Sequence, residues 1–415
     1  MTRVGDEREP REAAQLAARA SYGRLVAYLA RRWRDVAAAE DALGDAFVAA
    51  LESWPRVGVP DKPEAWLLAV ARRRLVDVAR HASVQGRAAH DLAPELDRAE
   101  RDPVFPDERL KLLFVCAHPA IDERARTPLM LQTVLGLDAT TIASAFLVAP
   151  GTMGQRLVRA KARIRDARIG FEVPEPHELS ERLGTVLEAI YAGYGTGWDD
   201  VAGADGRGHA LAEEAIWLGR LVTRLLPQEP EAHGLLALML HCEARRASRR
   251  DADGAYVPLD RQDVRLWSRS MIDEAETSLA SASRSGTPGR FQLEAAIQSV
   301  HAARAVTGHT DWPAIGLLYA GLLACAPTIG ARVGHAAALA EAESAQAGME
   351  ALAAIPSAAV ATYQPYWALR AHLLGRLGRG GEASEAYDRA IGLSENAAVR
   401  DFLAGQARLA AGGRS

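Results

Sequence analysis

The sequence predicts an all-α fold divided among two or three domains. Apolar residues recur at helical spacing along most of the chain. Short Gly, Pro and Asp turns separate these stretches, and 415 residues with 49% hydrophobic composition can bury several cores. No run approaches the ~18 apolar residues of a membrane span. The opening MTRVGDEREPREAA lacks the apolar core of a signal peptide, so a cytoplasmic protein is expected. Cys116, Cys242 and Cys325 form no CxxC pair, which fits a reducing compartment. Cys116 and His118 make a C-x-H pair without the further ligands of a zinc site, and no metal or cofactor is expected.

Residues 11–34 predict an amphipathic helix with Leu16, Leu25, Leu29 and Trp33 among arginines. A second helix spans about 38–52, AAEDALGDAFVAALE, with Glu40, Asp41 and Asp45 in its first half, where the helix dipole favours acids. Trp54-Pro55 is expected to end it. Arg56 to Pro63 follows as a loop marked by Gly58, Pro60 and Pro63. The third helix, 64–81, interleaves Trp66, Val70, Leu75 and Val78 with Arg72, Arg73, Arg74 and Arg80. Residues 82–106 lack apolar periodicity and are rich in charge and Pro, as expected of a linker.

The most informative stretch is DATTIASAFLVAPGTMGQRLVRAKARIRDAR, residues 138–168. It predicts a helix over about Thr140–Phe146, a break at Pro150-Gly151, and a second helix from near Thr152. Met153, Leu157, Ala160 and Ile164 form an apolar stripe. Thr152, Gln155, Arg156, Arg159 and Arg163 form a polar one. A helix-turn-helix divides its second helix in this way, one face docking on the first helix and the other entering the major groove. Arg and Gln suit guanine and adenine edges, and Thr152 is placed as an N-cap or phosphate contact. Arg156 to Arg168 holds six cations, Lys161 among them, against the single acid Asp166. A solvated basic face is the alternative.

AAEDALGDAFVAALESWP and PEAWLLAVARRRLVDVAR resemble region 2 of bacterial extracytoplasmic-function sigma factors. DERLKLLFVCAHPAI and IASAFLVAPGTMGQRLVRAKARI resemble region 4 of the subgroup with a long C-terminal extension, which residues 180–410 also resemble. The resemblance implies region 2 in 1–82, a linker in 83–106, region 4 in 107–172 and a C-terminal regulatory domain in 178–415. It implies core RNA polymerase (large-subunit clamp helices and flap) and promoter DNA as partners. Glu40, Asp41, Asp45 and Phe47 become the polymerase-contact candidates. Gly44 stands where the family usually has Gln. For the −10 element the candidates are Trp54, Arg56, Trp66, Arg72, Arg73 and Arg74, because holding a single strand takes stacking surfaces and cations. For Trp66 a core anchor of the third helix is the favoured alternative, because buried aromatics mostly pack. For the −35 element they are Thr152, Gln155, Arg156, Arg159, Lys161 and Arg163.

FEVPEPH, 171–177, marks the expected domain boundary. The glycine-rich stretch 192–209 lacks the GK[ST] of a P-loop. Beyond it, helices are expected at about 209–226, 230–248, 262–283, 289–305, 312–324, 332–347, 362–376, 380–393 and 396–410. Trp367, Ala371, Leu374, Gly378, Ala383, Tyr387 and Ala390 match the spacing of a tetratricopeptide repeat. Asp251 to Gly254 is expected to be a turn rather than a calcium loop. Residues 1–171 carry 27 Lys/Arg and 23 Asp/Glu, the remainder 22 and 30, a split of +4 and −8. This fits a DNA-facing front half and an acidic back half that acts on it in cis, by intramolecular contact with the sigma regions. No nucleophile triad or paired catalytic carboxylates emerge, so a non-enzymatic factor is expected. A helical-repeat interaction module without sigma activity is the second reading.

Overall fold

In the computed structural model, residues 8–84, 107–146, 148–199, 206–284, 286 and 288–412 are described. The expected linker at 83–106 falls almost wholly outside them. Among the described residues the chain is built from α-helices and short 3-10 turns, without a strand. It forms two compact units, residues 1–198 with 207–218, and residues 199–206 with 219–415.

The first unit begins with α1 (Arg8–Trp33), α2 (Val36–Val57) and α3 (Pro63–Val84), which pack mutually. Asp35 caps α2 by accepting the Ala38 N–H at 3.0 Å, and Val36, Ala39, Leu43, Ala46, Ala50 and Trp54 form its buried stripe. The helix runs three residues past Trp54, although Pro55 was expected to stop it. Proline removes one N–H, and the residue four back whose carbonyl loses that donor, Leu51, lies on the exposed side of the helix. Gly58, at φ 86°, makes the actual stop, its N–H bonding the Trp54 carbonyl.

Next come α4 (Arg109–Cys116), α5 (Glu123–Thr133), α6 (Ala139–Ala145) and α7 (Pro150–Asp166). The helix-turn-helix is α6–α7. Asp138 caps α6 by accepting the N–H groups of Thr140 and Thr141, and α7 starts at Pro150 with Ala149 as its N-cap residue. Thr152 is therefore already inside the helix and is not its cap. Cys116 is buried with its thiol 3.6 Å from the Thr133 hydroxyl, and burial pushes that thiol up to about 12. His118 Nδ1 instead accepts the Ala120 N–H, so the two have separate local partners.

The compact units do not part at 172–178. α8 (Pro176–Asp199) runs through Gly193 and Gly195, and α9 (Gly206–Leu225) contributes its first half to the first unit. Arg182 of α8 is buried and donates to the Phe114 carbonyl of α4. A Cβ at Gly193 would meet Leu135, so this glycine serves a close helix contact. Arg109 of α4, also buried, bonds Asp107 and Glu214 and lies 3.7 Å from the Trp217 ring centroid.

The second unit continues α9 with α10 (Pro230–Glu243), α11 (Arg269–Ser283), α12 (Arg290–Thr307), α13 (Trp312–Cys325), α14 (Ile329–Ala342), α15 (Ala345–Ala353), α16 (Ser357–Val360), α17 (Gln364–Arg376), α18 (Gly380–Gly392) and α19 (Ala397–Gly412). Apart from the short α16, which α15 and α17 bypass to pack directly on each other, sequence neighbours pack on each other from α10 onward, as in a solenoid. The expected helix 332–347 is two helices, because Ser344 accepts the Ala347 N–H and starts a new one. The α17–α18 pair buries Ala371, Leu374, Ala383, Tyr387 and Ala390 in one core, five of the seven positions that carried the repeat spacing. Asp251 accepts from the N–H groups of Asp253 and Ala255 in a turn closed by Gly254 at φ 80°.

His241 and His301 are both held neutral by burial, which depresses each to about 4. Arg245 adds to the depression of both. Glu276 lies 3.4 Å from His241 without a hydrogen bond. The unfolded chain takes up these protons near 6.5 and the folded unit near 4, so folding loses stability as pH falls between those values. Urea titration of the full chain is expected to show the second unit's midpoint falling from pH 7 to pH 5, and His241→Leu is expected to flatten that fall.

Candidate nucleic-acid interface

The polar stripe of α7 faces solvent. Thr152, Gln155, Arg159 and Arg163 are exposed, and Met153, Leu157, Ala160 and Ile164 are buried on the opposite side. Two of the guanidinium groups on this side are oriented by backbone carbonyls in and just before α5. Arg156 Nη1 donates to Arg124 at 3.3 Å, and Arg163 Nε to Ala120 at 3.2 Å. Arg159 Nε reaches the Gln155 carbonyl at 3.3 Å. Such tethering limits the side-chain freedom lost when a base edge is met.

Lys161 does not belong to this surface. At 100° per residue it stands half a turn from Thr152. There its ammonium meets the Glu40 carboxylate of α2 at 2.5 Å, with side-chain exposures of 14% and 9%. Arg165 approaches Asp35 at 3.7 Å on the same flank. The expected placement of Lys161 on the DNA face is thus corrected by its position on the helix. Glu40, one of the polymerase-contact candidates, is buried in the same pair and does not share the exposed face of Asp41 and Asp45. Tyr22 donates a longer bond to Glu40 at 3.4 Å. Burial raises the Glu40 carboxyl above its ordinary range, and Lys161 opposes that rise.

The outer face of α2 presents Asp41, Gly44, Asp45, Val48, Leu51 and Glu52 to solvent, with Phe47 half-buried at its margin. Val48 and Leu51 are among the exposed large apolar residues of the chain, 55% and 47%. This face therefore combines an apolar strip with an acidic border.

The candidates around α3 divide. Trp54 is 1% exposed and stacks edge-on against Trp66 at 5.5 Å, so it is a core residue and offers no surface to a base. Trp66 is half-buried in the same stack. Arg72 bonds the Tyr28 hydroxyl and lies over its ring, which commits it to the bundle. Arg73 is exposed, Arg74 lies 3.8 Å from Asp45 in an exposed pair, and Arg56 is exposed with Nε on the Glu52 carbonyl.

The family description "Sigma-70 region 2" matches residues 18–84, which holds α2, α3 and most of α1. An extracytoplasmic-function RNA polymerase sigma factor of Mycobacterium tuberculosis, SigC, is 30% identical over 153 residues, covering 77% of that protein and 37% of this chain. The chain belongs to the extracytoplasmic-function sigma factors. The sigma factor also matches a family of unknown function, DUF6596, over residues 182–283. An uncharacterized protein of Rhizobium meliloti is 39% identical over 383 residues, 90% of each chain. The extension is therefore shared along nearly its full length. No solved structure matches the chain.

Sequence reasoning did not find the contact of α2 with α7, nor Gly23 and Tyr22 of α1, which touch the end of α5. The signal for the former was present in the 180° offset of Lys161.

Gly44 has open space where a Cβ would stand. Gly44→Ala is expected to stabilise the first unit by about 1 kcal/mol, since alanine loses less entropy in a helix interior. A lower urea midpoint for that variant would show that the position requires glycine.

Proposed function

We propose that this sigma factor binds core RNA polymerase through the outer face of α2 and carries it to a promoter class read by α7. The observation that carries the reading is the exposed stripe Thr152, Gln155, Arg159 and Arg163, with Arg156 beside it, on the second helix of a helix-turn-helix. Asp41 and Asp45 bordering Val48 and Leu51 suit a basic coiled-coil surface, the kind the polymerase clamp helices supply. Region 4 would rest on the flap. Arg56, Arg73 and Arg74, with the edge of Trp66, would hold the opened −10 strand. Opening costs on the order of 1.4 kcal/mol per base-pair step, and binding energy supplies it. The acidic C-terminal portion would regulate the factor in cis, since a net −8 over 172–415 disfavours approach to phosphate.

Run-off transcription with core polymerase on genomic fragments, including the region upstream of the factor's own gene, is expected to give a start site that depends on the full chain. Asp41→Arg with Asp45→Arg is expected to lower core affinity at least tenfold while leaving the helical circular dichroism unchanged. Silence on all fragments, together with no binding to core, would instead favour a helical-repeat interaction module.

Arg156→Ala is expected to lose ~1–3 kcal/mol of discrimination at a single −35 base pair, read by competition among duplexes substituted one position at a time. Equal loss on every sequence would assign Arg156 to the backbone.

A further inference from the structure

Three arginines are buried among the described residues: Arg109, Arg182 and Arg245. A guanidinium keeps its charge when buried, so it needs an anion beside it. Two of the three have one. Arg109 is held by Asp107 and Glu214, and Arg182 by Glu178. Arg245 stands two residues past the end of α10 and is 8% exposed. Its Nη2 donates to the side-chain oxygen of Gln298 on α12 at 2.5 Å and lies 3.9 Å from the Cys242 sulfur. Its Nη1 has no acceptor. Among the described residues a neutral amide thus stands where the other two arginines have carboxylates.

The surroundings add donors and positive charge. His301 and Arg304, also on α12, both lie within reach of the Arg245 charge. Arg304 is fixed in place, donating to the Asp260 and Gln262 carbonyls at 2.9 and 3.1 Å with the Trp267 ring centroid 5.2 Å away. The His301 ring stacks edge-on against Trp312 at 5.4 Å. One turn before Arg245, His241 is 1% exposed and neither ring nitrogen has a hydrogen-bond partner. Acids nearby serve other groups. Glu276 accepts the Ser299 hydroxyl at 2.6 Å, Glu294 pairs with Arg290 at 2.8 Å, and Asp260 acts on Arg304. Gln298, His301 and Arg304 are half-buried, so the guanidinium lies one side chain below the surface between α10 and α12.

We infer that Arg245, rimmed by Gln298, His301 and Arg304, is a binding site for the carboxylate or phosphate group of a small molecule. Such a group accepts from Nη1 and brings the charge that Arg245 lacks. If Gln298 turns aside, Nη2 joins Nη1 to give the planar edge that oxyanions take bidentately. A ring N–H of His301 adds a donor from a second direction. A site one side chain deep admits the end of a small molecule rather than a stretch of backbone. An uncompensated buried charge costs the free unit stability, and a ligand that binds only the folded state returns it. The site lies wholly within the second unit and is independent of how the first unit acts on DNA.

The test is urea unfolding of the full-length chain at pH 7 in chloride, acetate or inorganic phosphate, at one ionic strength. The second unit's midpoint is expected to be higher in acetate or phosphate than in chloride, and the larger rise tells which group the site prefers. Phosphate also stabilises proteins by exclusion from their surface, so the specific part is the difference between wild type and Arg245→Met. That variant is expected to lose most of the rise. It is also expected to raise the midpoint in chloride, because it removes a charge that the free unit leaves uncompensated. Loss of a purely structural arginine would lower it. Arg245→Lys keeps the charge without the planar edge, and isothermal titration is expected to show anion affinity at least tenfold below wild type. Equal wild-type midpoints in the three salts would overturn the site. So would a rise of the same size in Arg245→Met, or a lower chloride midpoint for that variant.

Discussion

A missing side chain sets the spacing of the first unit. Because residue 23 is glycine, α1 comes down on the last turn of α5 until the Val134 carbonyl occupies the place of a Cβ. The neighbouring contacts follow from that approach. Tyr22 falls across Gly136, whose φ of 68° keeps the chain clear of the ring. The Tyr22 hydroxyl then reaches Glu40, and Glu40 reaches Lys161. α1 also packs against α2, α3 and α4, so the front three-helix bundle and the helices that lead into the helix-turn-helix are positioned by one helix. Any larger residue at 23 shifts the whole set, since backbone cannot yield as the tip of a side chain can.

Cations in this sigma factor serve two purposes that composition does not separate. Of its 49 basic residues all but three are arginine. Several are committed to the fold: Arg109 to Asp107, Glu214 and the Trp217 ring, Arg182 to the Phe114 carbonyl, Arg72 to Tyr28, and Arg24 to Glu64 at 2.6 Å. A planar guanidinium can bond a carboxylate with one edge and lie flat on an aromatic ring, which suits it to helix junctions where an ammonium would be under-used. The cations left exposed on α7 and α3 are therefore a better guide to DNA than the charge of the front half as a whole.

Much of the architecture was legible in the sequence for a specific reason. Apolar stripes such as Met153, Leu157, Ala160 and Ile164 are local in sequence, and so is the Asp138 cap. Both give helices and their buried faces directly. The exposed or buried fate of single large residues was less legible. The core reading was weighed for Trp66, yet of the stacked pair it is Trp54 that is buried and Trp66 that is half-covered. α8 passes through two residues of the glycine-rich stretch, Gly193 and Gly195, and tertiary contact at Gly193 favours the small residue. Contacts between regions were hidden, since Gly23 with Val134 and Glu40 with Lys161 join positions more than a hundred residues apart, and no local pattern marks them.

The seating of Arg109 has a consequence in time. Its partner Glu214 lies 105 residues further along the chain. A ribosome adding about 5–20 residues per second delivers that partner some 5–20 s after the arginine. In the later part of that interval, once Asp166 has been added, the helix-turn-helix has been made but the helix carrying Glu214 and Trp217 has not. The nascent chain thus passes through a stage in which the helix-turn-helix is synthesised while Arg109 lacks Glu214 and Trp217, and the seating of that arginine waits on translation of α9.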